Sequence, residues 1–156
     1  MTGRVSAFLP VVGDHDVLRE RFSGDPGAWL PAARACGPER WNVAVRYRGL
    51  TRPVEAHLGG LWRVGSTQWR SLTWRPVPGD GDVAALDRLL PTLAAELGLY
   101  TRNGDASLVV TGIYEPPGAR LGELADVVLL HRVAERTAAA FLADIAPLLG
   151  QVPVTA

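Results

Sequence analysis

Apolar and polar positions along the chain change period twice. From Trp41 the period is two: Trp41, Val43, Val45 and Tyr47 alternate with Asn42, Ala44, Arg46 and Arg48, the pattern of a half-buried strand. After a turn around Gly49 to Arg52, the residues Val54, Ala56, Leu58 and Trp62 alternate with Glu55, His57 and Arg63. Pairing Tyr47 with Val54 sets Val45 opposite Ala56, Val43 opposite Leu58 and Arg46 opposite Glu55, so one face is apolar and the other gains an ion pair. Gly65-Ser66 suits a two-residue turn with glycine first. That turn places Trp62 across from Trp69 on the inner face and leaves Leu72 and Trp74 outside.

The segment DVAALDRLLPTLAAELGLY has helical composition, but Pro91 interrupts it and costs about 3 kcal/mol in a helix interior. Asn103-Gly104 is a strong hairpin signal, and SLVVTGIYE after it is strand-like. Folding back about that turn pairs Leu99 with Leu108, Leu97 with Val110 and Leu93 with Tyr114. Pro91 to Thr101 is therefore predicted as a strand, preceded by a short helix or irregular turn over Val83 to Leu90.

Beyond Pro116-Pro117-Gly118 the period becomes helical. Leu124, Val127, Val128, Ala134, Ala138, Phe141, Leu142 and Ile145 fall on one broad face, with Arg132 and Arg136 on the other. A helix from Leu121 to Ile145 is roughly 35 Å long at ~1.5 Å per residue, enough to cross a small domain. At the other end, Val5 to Pro10 reads as a short strand. Asp14 can cap a helix whose Val17, Leu18 and Phe22 share a face, and Asp25-Pro26 opens a second short helix through Trp29 and Leu30.

Composition narrows the partners. The chain has 156 residues, enough for one domain with one substantial core. Sixteen basic residues balance sixteen acidic ones, so no global field favours nucleic acid or an anionic membrane. No run has the length of a membrane-spanning helix, and the N-terminus lacks the pattern of a signal peptide. Cys36 stands alone, which excludes an internal disulfide and a multi-thiolate metal site. A reducing cytoplasm is the expected compartment. His15, His57 and His131 lack zinc-ligand spacing, so no metal is expected. Phosphate-loop, dinucleotide and nucleophile-elbow motifs are missing, and no cofactor is expected.

Strand, two small helices, a run of antiparallel strands and one long C-terminal helix make an α+β order that resembles the helix-grip fold of the START-like, or SRPBCC, superfamily. That superfamily includes polyketide cyclases, lipid-transfer domains and birch-pollen-allergen-like proteins. The tail YEPPGARLGELADVVLLHRVAERTAAAFLADIAPLL is similar to that of actinobacterial members. The resemblance implies a curved antiparallel sheet gripping the long helix, with an apolar cavity between them. It supplies no catalytic residues.

The inward faces then offer Tyr47, Leu58, Trp62, Trp69, Leu97, Val110 and Tyr114 from the sheet. The helix adds Val127, Val128, His131 and Ala138. An apolar cavity with few polar groups suits a hydrophobic small molecule; the competing reading is that Trp and Tyr simply fill the space. His131 lies within the apolar face, and Glu135, one turn on, can accept its hydrogen bond. Such a pair can act as general acid or base in a cyclisation or dehydration, or can be a satisfied residue at the core's edge. The expected function is binding or transport of a hydrophobic ligand, with a polyketide cyclase-like enzyme as alternative. An interaction module is the third reading: Tyr100, Val109, Ile113, Leu72 and Trp74 are expected to form an outer apolar patch suited to a homodimer.

Overall fold

The computed structural model describes residues 3–47, 50–77, 92–115 and 127–150. Its strands are β1 (Gly3–Val11), β2 (Arg34–Gly37), β3 (Arg40–Tyr47), β4 (Leu50–Val64), β5 (Thr67–Pro76), β6 (Thr92–Arg102) and β7 (Asp105–Glu115). Helix α1 is His15–Ser23, a 3-10 turn covers Pro26–Ala28, and helix α2 is Val127–Gly150. The expected helix or turn over Val83 to Leu90 and the start of the long helix, up to residue 126, lie outside the described residues. The strands form one antiparallel sheet in the order β1-β7-β6-β5-β4-β3-β2, so every neighbour but the β1–β7 pair is also a neighbour in sequence.

Local chemistry starts and stops these elements. Asp14 Oδ1 accepts from the amides of Asp16 and Val17 at 2.9 and 3.2 Å, capping α1 as its sequence predicts. Asn103 and Gly104 both adopt positive φ, the requirement of a tight turn whose twist suits a hairpin. That turn fixes the β6–β7 register as expected: Leu99 faces Leu108, Leu97 faces Val110, and Leu93 faces Tyr114.

Two expectations require correction. In the β3–β4 hairpin Tyr47 pairs with Leu50 and Val43 with Val54, a tighter connection than the sequence suggests. The slip covers an even number of residues, so Val43, Val45, Val54, Ala56 and Leu58 still face the core and are buried. The ion pair, however, changes partners. Arg46 reaches Asp144 of α2 at 2.7 Å, whereas Glu55 faces Arg40 and Arg75.

In β4–β5, Trp62 does lie across from Trp69, but the ladder shifts between Leu58 and Leu61. Gly59 and Gly60 together oppose Ser71, a bulge that exchanges inner and outer faces along the rest of the hairpin. Leu72 and Trp74 therefore point inward and are buried, and Trp62 and Trp69 belong to the outer face. Strand β2 was not anticipated. It is a short exposed strand whose hairpin turn holds Glu39 at positive φ.

The core lies between the inner face of the sheet and α2. The helix rests closely on β1, β3 and β7, at the flanks, and less closely on the central strands. Trp74 of β5 and Phe141 of α2 bridge the centre, ring centroids 5.1 Å apart and edge to face. Leu142, Ile145 and Leu149 continue this packing toward α1, all fully buried. Each such side chain contributes about 1.5–3 kcal/mol relative to exposure. Phe22 and Trp29 stack at 5.5 Å beneath the α1 end, and Arg21 closes the corner by donating to the Leu149 carbonyl of α2 at 3.0 Å.

Candidate functional site

The C-terminal half of α2 is sealed onto the sheet by large side chains, and the character changes toward its N-terminal half. Among the side chains described there, the buried helix positions are Val133, Ala134, Thr137 and Ala138. Thr137 uses its hydroxyl locally, donating to the Val133 carbonyl at 2.7 Å. At the edge of this small-residue stretch stands His131, one turn before Glu135. Its Nε2 is 2.8 Å from Glu135 Oε1, the i,i+4 pair expected from the sequence, with both side chains about half exposed.

The partner on the other ring nitrogen is Tyr114, near the end of β7. Its hydroxyl lies 3.4 Å from His131 Nδ1, and the two rings are tilted with centroids 6.1 Å apart. Tyr114 is buried. Its ring lies over the backbone of Gly3, its cross-strand partner in β1, where any Cβ would collide with the ring. Burial, and next the charge of Glu135, push its hydroxyl pKa above the ordinary 10.0, so the phenol stays protonated.

These positions define a directed chain. With Glu135 ionised, Nε2 carries the proton and donates to the carboxylate, which leaves the Nδ1 lone pair to accept from the Tyr114 hydroxyl. The O–H···N distance is longer than the usual 2.7–3.2 Å range, so the hydroxyl is weakly held and can turn to another acceptor. The arrangement sets a phenol, an imidazole and a carboxyl group in hydrogen-bonding succession.

The other expected site residues separate into groups. Leu58, Leu97, Val110 and Ala138 face inward and are buried in the core between sheet and helix. Trp62 and Trp69 lie on the outer face and are withdrawn from the interior. Tyr47 pairs with Leu50 at the end of β3, and Val127 and Val128 open the described part of α2; their side chains lie outside what is described. His57 lies on the outer face, 3.5 Å from Glu39. It lines an open cleft of about 420 Å³ with Arg40, Glu55, Thr73, Trp74, Arg75 and Thr92. The carboxylates and cations there are already paired with one another. Among the described residues no cluster of three or more His, Cys, Asp or Glu could hold a metal, and no helix is long and apolar enough to cross a membrane.

Arg70 is a buried residue that the sequence reading did not single out. It projects inward because of the bulge, donating Nε to the Phe22 carbonyl at 2.9 Å and Nη2 to the Gly24 carbonyl at 2.8 Å. Burial lowers its pKa, opposed by Glu39 and Asp25. Its role is to bind the C-terminal end of α1 to the sheet.

No protein-family model matches this chain, and no curated protein matches it. Solved structures do. Ginseng major latex-like protein 151 from Panax ginseng is similar over 95% of both chains, with a TM-score of 0.52 at 13% identity. A conserved protein from Geobacillus kaustophilus is similar over 96% of this chain and 95% of its own, with a TM-score of 0.51 at 11% identity. The fold is a helix grip. At these identities the likeness is one of architecture: a curved antiparallel sheet, a short helix after the first strand and a long C-terminal helix, as in the Bet v 1-like proteins. That order agrees with the resemblance expected from the sequence.

Proposed function

We propose that this domain binds a hydrophobic small molecule between the sheet and the N-terminal half of α2, with Tyr114, His131 and Glu135 as its polar contacts. The observation that carries this reading is the Tyr114–His131–Glu135 chain, set beside small buried helix residues in an otherwise apolar interface. Small-molecule sites combine apolar walls with a few placed polar groups in this way. The helix-grip architecture supports the reading in general terms, because it puts a sheet and a helix around a common interior. The Tyr114 donor favours a ligand with a hydrogen-bond acceptor such as a carbonyl. A panel of apolar ketones, fatty acids and aromatic polyketone mimics tests this by thermal shift. Stabilisation that rises with ligand concentration, and that Tyr114→Phe diminishes, is expected. No stabilisation by any member of the panel overturns the reading.

The same chain favours a second reading, an acid–base enzyme of polyketide cyclase type. His131 Nδ1 would take a proton from the carbon beside a carbonyl, while the Tyr114 hydroxyl hydrogen-bonds the developing enolate oxygen. Glu135 would stabilise the imidazolium. Incubation of an apolar β-diketone in deuterated water tests it by proton NMR. Protein-dependent α-deuteration that His131→Gln abolishes supports catalysis; exchange at the uncatalysed rate with a ligand that demonstrably binds leaves a binder only.

A further inference from the structure

The outer face of the sheet carries an uninterrupted apolar row across five strands. Successive cross-strand pairs connect Phe8 to Val109, Val109 to Gly98, Gly98 to Trp69 and Trp69 to Trp62. Trp69 lies flat over Gly98, where an added Cβ would be 2.7 Å from the indole, so the glycine makes the row level. The ends of the row stay open: Phe8 is 64% exposed and Trp62 is 39% exposed. The next outward row, two residues along each strand, holds Pro10, Ser107, Tyr100, Thr67 and the 62% exposed Val64. Neither row contains a charge.

Charges begin one row beyond on each side: Arg102 with its cross-strand neighbour Asp105 on one side and Glu96 on the other, so on the central strand β6 their signs are opposite. Glu96 precedes the apolar rows and Arg102 follows them, both exposed and both on the outer face. They are equally distant from position 99, the midpoint between the rows. A two-fold axis running across the strands at that midpoint, with the outer faces of two copies in contact, lays β6 antiparallel over β6 of the other copy. It brings Glu96 of each copy against Arg102 of the other. The same operation sets the Trp62–Trp69 row of one copy over the Val64–Thr67 row of the other, and Phe8 over Pro10. Isologous interfaces have this self-complementarity.

We propose that two copies of this chain associate through this face of the sheet. The two rows together with the charged rows that flank them, Glu96 to Arg102 on β6, span five strands at ~4.8 Å spacing and about seven residues at ~3.4 Å rise, roughly 550 Å² in plan. That is below the ~800 Å² per partner of a standard interface. The dimer is accordingly weak and concentration-dependent.

Sedimentation velocity of the full chain across a wide concentration range tests the assignment, with circular dichroism as the folding control. Wild type shifts from monomer to dimer as concentration rises. Phe8→Glu and Trp62→Glu, both at exposed positions, abolish the shift while leaving the spectrum unchanged. Glu96→Arg and Arg102→Glu each weaken association about fivefold, and combining them restores it, because the exchanged charges again face opposite partners. A wild-type monomer at every concentration overturns the proposal, as does a dimer indifferent to Phe8→Glu and Trp62→Glu. Failure of the double exchange to restore association overturns the two-fold arrangement.

Discussion

Replacing Arg70 with methionine tests how α1 is held to the sheet. Methionine keeps a flexible apolar stem of similar length in a buried position but removes the guanidinium. Two charge-assisted hydrogen bonds are lost, from Nε to Phe22 and from Nη2 to Gly24, at 2.9 and 2.8 Å. The Phe22 carbonyl is buried and loses its side-chain donor, whereas the Gly24 carbonyl is only partly buried and can recruit water. The guanidinium also sits 6.0 Å from the centroid of the Phe22 ring, an interaction of about 0.5–1 kcal/mol. Bonds to charged groups contribute about 1.5–3 kcal/mol each. Discounting the wetter one and allowing for the charge's removal from a desolvated place, the net loss is about 2–4 kcal/mol. For a chain of this length that lowers the melting temperature by roughly 4–16 °C. Urea unfolding monitored by tryptophan fluorescence measures it directly, with an unchanged slope showing that the denatured state is not altered. A loss below about 0.5 kcal/mol would refute this reasoning, and would mean that desolvation of Arg70 cancels what its hydrogen bonds contribute.

Three further outcomes follow from the same structure. Because the folded pKa of Tyr114 is raised above its ordinary 10.0, its contribution to stability is complete below that pH and declines as pH rises through the folded value. Tyr114→Phe should therefore flatten the alkaline limb of stability against pH, and an unchanged limb in urea titrations would count against a buried phenol. Gly112→Ala places a Cβ against the Ala94 carbonyl and the Ala95 backbone, so it should destabilise by about 1–3 kcal/mol; a neutral result in thermal unfolding would show that β6 and β7 can part locally. Asp14→Ala removes the two cap bonds of α1 and should cost about 1 kcal/mol by urea unfolding, with Asp14→Asn recovering most of it.

How far the sequence revealed this molecule depends on whether a local signal controlled each feature. The Asn103-Gly104 turn fixes its own hairpin, so every β6–β7 pair was legible. The β3–β4 register had no such turn and was misjudged, yet the face assignment survived because an alternating strand keeps its faces under an even slip. The Gly59-Gly60 bulge had the opposite effect. Trp62 and Trp69 were paired correctly but assigned to the wrong face, since one extra residue inverts the alternation. Arg70 and Trp74 were missed as interior residues for the same reason. On the helix, His131 and Glu135 were visible because i,i+4 neighbours meet on any regular helix. Tyr114 as their third member was not, since the contact joins residues 17 apart on two different elements. The available signs were its inward position late in β7 and the glycine opposite it. The outer patch was expected from Tyr100, Val109, Ile113, Leu72 and Trp74, of which Leu72 and Trp74 are core residues, and the alignment of the others with Phe8 and Trp62 required the register of five strands.

The most direct test of the ligand-binding account is an amide chemical-shift titration of the full chain with an apolar ketone that stabilises it against heat. The account predicts the largest shifts around Leu93, Tyr114, His131, Ala134 and Ala138, with little change at Phe8, Trp62 and Trp69. Shifts confined to the outer face, with those around Tyr114 and His131 unmoved, would contradict it.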